Sequence, residues 1–352
     1  MKQLALALLL AACGSREALP PMPAPAVVAD ARVEVDPRRW FAGDVHMHVA
    51  PPDDPNDVVM NVHELAAAAL AAGLDFVVLT PHLWSSRWGD AFRRQWKSFA
   101  DEATAIARPT MIPGVEWGDR DGHFTVTGVD IAALRGRNFL AAADAAGAFI
   151  SANHPFALPT KIPGVRVSHF DMSYRPWTTG RVGFTEIDGA EVWNVPLGLA
   201  NLLSRPGGRT GEERAWTELD RVARTEQRRV TAVGGTDNHR MHVDATTWIL
   251  AIDASATSVI DALVRGATCV GGSEAGTFRA RGDDDRWVRI GESAVAKTIT
   301  LAWDGVARLF IDDVDQGEHA GGFAHDTSGA VHTYRIVVGS SRCGFIYANL
   351  PS

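Results

Sequence analysis

Cysteine is scarce: only Cys13, Cys269 and Cys343 occur in 352 residues, and no Cys-x-x-Cys pair exists. A thiolate metal site or a dithiol redox centre is excluded on that ground. Positive charge is not in excess either. Lys and Arg number 34 against 42 Asp and Glu, for a formal net charge of −8. A nucleic-acid footprint needs clustered basic groups to meet phosphates, and this balance argues against one. Arg221, Arg224, Arg228 and Arg229 do gather, but they read as the solvated face and C-terminal end of a helix. No phosphate-binding glycine loop and no nucleophilic-serine elbow is found. Apolar runs long enough to cross a bilayer as a helix are also lacking.

What is present begins with Lys2 and a short apolar stretch from Leu4 to Leu10. Leu10-Ala11-Ala12-Cys13 resembles a bacterial lipobox. That resemblance implies a signal peptide over 1–12, cleavage before Cys13 and a lipid anchor on its thiol. Residues 13–37 then form a tether, Pro/Ala-rich from Leu19 to Val28 and extended by composition. By resemblance to the sorting rules of two-membrane bacteria, Gly14 after the cysteine favours the outer membrane, with the protein facing the periplasm. In an exported chain Cys269 and Cys343 suit either a disulfide or two buried thiols.

Between 38 and 276 the pattern alternates between strand-like and helix-like runs. Asn61 and Glu64 supply N-cap and N3 chemistry to a helix that Gly73 stops. Phe92, Trp96, Phe99 and Ala103 form one stripe of a helix over 90–107. Leu74 to Thr80, Met111 to Val115, His123 to Val129, Ala148 to Asn153, Gly189 to Trp193 and Val230 to Gly234 read as strands. The alternation predicts an α/β fold, most economically a distorted (β/α)7 TIM-like barrel. Residues 155–188, with Tyr174, Arg175 and Trp177, read as a substrate-covering insertion. From 277 to 352 helix patterns vanish. Short strands between Gly/Asp turns predict a small all-β, sandwich-like module. Its Asp283-Asp284-Asp285 run lacks the spacing of a calcium loop and reads as a solvated turn.

The chemistry lies at the strand ends. His46 and His48 end one strand, and a His-x-His pair puts both imidazoles on one face because strand side chains alternate. His82, Glu116, His123, His154, Asp237 and His239 each stand at or just beyond another strand end. In a β/α barrel those ends converge on one face, so residues nearly 200 positions apart can meet. Imidazole and carboxylate are the donors that hold Zn, Mn or Fe. Glu191, Trp193 and Asn194 end a further strand and line the same region, and Trp193 suits core packing equally well. Arg175, Arg205 and His169 are weaker candidates.

In its order of motifs the chain resembles the polymerase and histidinol phosphatase (PHP) superfamily, and most nearly its carbaryl hydrolase-like metallohydrolase branch. The stretches that carry the resemblance are Gly43–His48, Ala72–His82, Gly114–Glu116 with Gly122-His123, Asn153-His154-Pro155, Gly189–Asn194 and Gly234–His239. The resemblance implies a distorted seven-stranded barrel holding two or three divalent ions. His46, His48 and Asp237 would take the first ion, Glu116 would bridge to the second, and His123 and His154 would complete it. His82 and His239 would hold a third with an acid from the loop after His48. That loop departs from the family pattern, and Asp53 and Asp54 both qualify, with Asp54 favoured.

These residues lead to an expected reaction. It is metal-dependent hydrolysis of a small-molecule ester by a metal-bound hydroxide, with Asp237 and His239 moving protons. Phosphoesters come first because paired metals suit in-line attack at phosphorus. Carbamate or carboxylic esters are the alternative, and a metal- or ligand-binding surface lipoprotein is the non-enzymatic one.

Overall fold

The computed structural model describes residues 36–84, 89–135, 138–157, 161–162, 165–166, 172–180, 187–194, 210–240, 243–244, 246–272 and 276–351. The lipobox cysteine Cys13, the signal and most of the tether lie outside these residues, as do His169, Arg205 and His242.

Parallel pairing brings one end of several strands together. β1 (Arg39–Met47) pairs in parallel with β2 (Phe76–Leu79), and β2 with β4 (Thr110–Asp119). β3 (His82–Trp84) extends that edge along β4, with His82 opposite Glu116. β4 then turns into the antiparallel β5 (Gly122–Thr127), which pairs with β6 (Phe149–Ala152). β6, β9 (Gly189–Asn194) and β10 (Thr231–Gly235) run parallel again. β10 meets β1 through a single bridge, Met47 to Asn238, where Asp237 N–H donates to His46 O and His48 N–H to Asn238 O. The expected barrel is thus corrected in two respects. The sheet is not closed by a continuous ladder, and β4–β5–β6 is an antiparallel meander inside the β/α alternation.

Helices cover the sheet as their stripes dictate. Asn61 caps α1 (Val62–Ala71) in a full capping box with Glu64. In α2 (Asp90–Thr104) Trp96, Phe99 and Ala103 are the buried positions, the stripe read from spacing. α3 (Phe139–Ala145) buries Phe139, Leu140 and Ala143. Between β6 and β9 lie the short β7 (Lys161–Ile162), β8 (Val165–Arg166) and α4 (Arg175–Thr179). Tyr174, in the expected covering insertion, is buried against Phe124 and Trp177. That part of the segment is therefore anchored in the core. α5 (Gly211–Thr225) is capped by Thr210 and Glu213 and buries Trp216, Leu219 and Val222. A separate apolar cluster joins Phe41, Val45, Phe76, Val78, Phe149 and Val233 from four strands, and α6 (Ala256–Arg265) adds Val259, Ala262 and Leu263 to it.

Beyond α6 the described chain holds strands only. β11 (Thr247–Ala251), just before α6, pairs with β1 and with β12 (Thr268–Val270), the first strand after it. β13 (Phe278–Arg281), β14 (Trp287–Arg289), β15 (Ser293–Ala294), β16 (Thr298–Ile311), β17 (Val314–Asp326), β18 (His332–Val338) and β19 (Ser341–Ala348) follow. β12 pairs with β19, and at that ladder Cys269 and Cys343 form a disulfide. The C-terminal strands are thus continuous with the sheet that holds β1 and β11 rather than a free sandwich, and residues Asp36–Ser352 form one unit. β16 is one long strand with a shift against β17 between Ala302 and Val306, where Gly305 takes a φ of 71°. Asp283 accepts backbone N–H groups from Lys297 and Thr298, as a structural turn does.

Candidate metal centre

Glu116 is the middle of the site. Its Oε1 lies 3.4 Å from His46 Nε2, 3.1 Å from His123 Nδ1 and 3.3 Å from His154 Nε2. Oε2 lies 3.3 Å from His82 Nε2 and 3.7 Å from His48 Nε2. One buried carboxylate thereby touches five imidazoles, carried by the end of β1, the starts of β3 and β5, and the residue two past the end of β6. His123 reaches the cluster because β5 runs antiparallel, so its first residues lie where the other strands end. Asp237 closes the far side, with Oδ1 3.2 Å from His48 Nε2 and 3.6 Å from His46 Nε2. His239 follows at the rim, its ring 4.2 Å from that of His48 and 5.3 Å from that of His82.

Three groups of donor atoms lie within 4.8 Å of one another: His46, His48 and Asp237; Glu116, His123 and His154; and His48, His82 and His239. The eight residues His46, His48, His82, Glu116, His123, His154, Asp237 and His239 are therefore brought together. Asp54 is not. It is exposed, and its carboxylate accepts from Asn56. The preference for Asp54 over Asp53 is corrected by burial: Asp53 is 7% exposed and faces the cluster. A chain entering the centre after two prolines turns one of two adjacent acids inward, and side-chain identity alone does not tell which.

Asp53 acts on the far nitrogens. Its Oδ2 lies 3.0 Å from His48 Nδ1 and its Oδ1 3.1 Å from His82 Nδ1. Glu191 does the same for His46, with Oε1 2.8 Å from Nδ1, while its Oε2 accepts the His154 N–H at 2.6 Å. An imidazole that donates Nδ1–H to a carboxylate presents a free Nε2 lone pair to a metal. Asn153 donates to Glu116 Oε1 at 3.0 Å, and Asn194 to Glu191 and to Asp237. Asp44 accepts the N–H groups of His46 and Thr236, tying the two strand ends that carry His46 and Asp237. Asp44 and Asn153 stand inside the motifs read from sequence, yet only their hydrogen bonds reveal their part. Arg175 is exposed, with its backbone N–H on Asp121.

The local backbone is fitted to this purpose. His154 and Asp237 occupy left-handed φ values of 31° and 51°, positions that cost energy and persist only when neighbours hold them. A Cβ at Gly235 would collide with His46 Cβ and with Glu191 Oε1. Only glycine lets those two side chains approach there.

Charge follows the same plan. Burial lowers the affinity of His46 for a proton, but Glu191, Asp237 and Glu116 outweigh it and hold the imidazole well above its usual range. His48, against burial, is carried to about 9 by Asp237, Asp53 and Glu116, and His154 is raised mainly by Glu116. The imidazoles in turn overcome burial and hold Glu116, Asp237 and Asp53 below the carboxylate range. Burial and the neighbouring His48 lower His239. Asp44 goes the other way, pushed up to about 7 by burial. Glu116, Asp237, Asp53 and Glu191 together draw positive charge into the cluster. Moreover, His48 Nε2 and His154 Nδ1 are buried without a hydrogen-bond partner, His48 Nε2 despite its nearness to Asp237. A buried nitrogen left so costs about 1–3 kcal/mol. Cations coordinated by this His/carboxylate set would satisfy both charge and lone pairs, and the donor set fits a metal-dependent hydrolase.

No protein-family model matches the chain, and no curated protein matches it. Among solved structures it is similar to a two-domain protein from Bacteroides vulgatus ATCC 8482 that contains a predicted PHP-like metal-dependent phosphoesterase. Identity is 16%, the match covers 87% of this chain and 92% of that one, and the TM-score is 0.46. A likeness at that level bears on neither activity nor substrate.

Proposed function

We propose that this protein is a metal-dependent hydrolase of the PHP type, with phosphoesters as its substrates. The observation that carries the reading is Glu116 set among five imidazoles, with Asp237 completing an adjacent donor group. Two or three Zn, Mn or Fe ions held there would supply Lewis acidity, acidifying water and neutralising charge on a phosphoryl oxygen.

The chain's own residues do the rest. Glu116 spans the donor groups and would offset the repulsion between cations held in them. Asp53 and Glu191 fix the tautomers of His48, His82 and His46. Asn153 and Asn194 hold the carboxylates of Glu116 and Asp237 in place by donating to them. His239, with its side chain 29% exposed, stands where the cluster meets solvent. We assign proton transfer to it and to Asp237, whose Oδ1 lies 3.6 Å from His239 Nδ1.

The same reading places the protein in the cell envelope, on a lipid anchor at Cys13. Support comes from the Cys269–Cys343 disulfide, which suits an oxidising compartment. The decisive test is turnover by metal-loaded protein of a phosphomonoester, a phosphodiester and an aryl carbamate under identical loading. Phosphoester hydrolysis that stops on chelation and is inhibited by inorganic phosphate is the expected result. Carbamate turnover alone would move the substrate class, and activity surviving verified metal removal would overturn the reading.

A further inference from the structure

Helix α5 meets the C-terminal strands along a surface that side chains only partly fill. Glu213, Trp216 and Thr217 stand three and four residues apart and share one face of α5. Across from them, Phe310 of β16 is opposite Arg335 of β18, and Val337 is opposite Arg342 of β19. Side chains opposite one another, or two apart on one strand, share a face of the sheet. With Asp313, Val314 and Asp315 these residues line one cavity of about 650 Å³. None of the metal-centre donors lines it. Its size suits a small molecule.

The donors of the wall are held in place and incompletely used. The Arg335 guanidinium carbon is 3.7 Å from the centroid of the Phe310 ring and 5.2 Å from that of Trp216. Arg335 Nη2 donates to Asp313 Oδ1 at 2.8 Å, but Arg335 Nε is buried with no hydrogen-bond partner. Trp216, 2% exposed, has its Nε1 in the same condition. Arg342 Nη1 is also buried without a hydrogen bond; its ion pair with Glu212 Oε2 is 3.9 Å long. Buried donors are paired almost everywhere in native proteins, so three orphans on one wall point to a ligand rich in acceptors.

The acids that line the cavity are already engaged. Asp313 Oδ2 accepts the Thr217 hydroxyl at 2.6 Å. Asp315 accepts Arg308 Nη1 at 3.0 Å and the Gly317 N–H at 2.8 Å, and Glu213 accepts the Thr210 N–H at 2.8 Å. Glu212 Oε1 is buried without a partner, yet burial pushes that carboxyl up to about 7, which makes it a weak counter-ion for Arg342 near neutrality. Burial lowers the proton affinity of Arg335, and the Arg342 charge adds to that effect. An anion shared by the two guanidinium groups relieves their repulsion.

We propose that this cavity is a second binding site, separate from the metal centre, for a small organic anion. Its oxyanion head, carboxylate or phosphate, meets the guanidinium groups of Arg335 and Arg342 on the wall that carries the Trp216 N–H. Its apolar body lies along Phe310, Val314 and Val337. The planar fork of Arg suits either head, and the aromatic faces beside Arg335 fix that fork before a ligand arrives. The site does not depend on the hydrolase reading.

The test titrates benzoate, phenylphosphonate and the neutral benzyl alcohol calorimetrically into the metal-loaded full chain. At least one anion is expected to bind at least about 10-fold more tightly than benzyl alcohol, since hydrogen bonds to charged groups contribute roughly 10-fold or more. Which anion binds tells a carboxylate head from a phosphate head. Arg342→Gln should weaken that binding about 10-fold; with its side chain 32% exposed, this change leaves the fold intact. Arg335→Lys keeps a cation for Asp313 but loses the fork, and should weaken binding by a similar factor. Metal content should match the wild type in both. Thermal melts separate lost binding from lost fold, and if Arg335→Lys melts early, Arg342→Gln decides. Glu116→Gln should leave benzoate binding unchanged. Anion binding that survives both arginine changes but is lost in Glu116→Gln would place the anions at the metal centre and overturn the proposal. So would equal binding of benzyl alcohol, or no saturable binding of either anion below about 10 mM.

Discussion

At the scale of single residues, the centre separates side chains that hold ions from side chains that aim them. Glu116→Gln keeps shape but removes the charge shared by five imidazoles. Metal content and activity should fall together, with a loss in metal affinity of at least about 100-fold. His319→Ala, at a half-buried position on β17 beside Gln316 and Phe323, should change neither. Equal losses in the two variants, read by elemental analysis and thermal melts, would mean general destabilisation. Asp53→Asn and Glu191→Gln should lie between, with metal affinity reduced about 10- to 100-fold, because the amide still accepts from Nδ1 but carries no charge. The same division explains which residues could be read early. A histidine or acid at a strand end announces a ligand by type and place. Asn153 and Asp44 do not announce themselves, since an amide or a buried acid has many other uses. Asp53 against Asp54 is a choice of rotamer and turn that two identical side chains cannot reveal.

At the scale of elements, the strand ends are held by close approaches and shared hydrogen bonds. Gly235→Ala would drive a Cβ into His46 and Glu191. It should cost about 1–3 kcal/mol of stability and weaken metal binding as well, measured by denaturant unfolding and metal titration. Asp188, just before β9, accepts the Ile150 N–H and so joins β6 to β9. Burial pushes its carboxyl from the ordinary 3.8 up to about 6. The folded state therefore binds that proton more tightly than the unfolded chain does. Its contribution is in place below about 4 and is lost as pH rises through about 6. Thermal melts should show wild-type stability falling across that window, and Asp188→Asn should flatten the fall; an unchanged slope would refute this account. Helices with strong stripes, such as α2 and α5, or with caps, such as α1 and α5, were legible because 3.6-residue periodicity and capping chemistry are local. β17 was not, because a Gly-rich edge strand exposed along most of its length has no apolar alternation to read.

At the scale of the whole molecule, metal and disulfide both tie distant segments. Chelation should lower Tm by at least about 5 °C, since ions that bind only the folded state stabilise it by mass action. Replacing both Cys269 and Cys343 by serine opens a link across 74 residues, for an expected loss of about 4 kcal/mol if chain entropy dominates. Cys13→Ala should release the protein from membranes or block its processing, checked by fractionation. Unchanged membrane association with normal cleavage would refute the lipid anchor.

What the amino-acid order alone determined was local: which segments are strands or helices, and which strand ends bear imidazole and carboxylate. Those properties reside in periodicity, caps and residue type, and need no knowledge of distant neighbours. Only the tertiary structure decided that β5 runs antiparallel and still delivers His123. It also decided that the sheet meets itself at one bridge between Met47 and Asn238, and that the C-terminal strands continue from β12. Strand direction and closure depend on pairing between segments far apart in the chain. The side-chain pattern of one segment is the same whichever neighbour it meets. For that reason the donors could be named from the sequence, while Asp53 and Glu191 took their roles from what the fold set beside them.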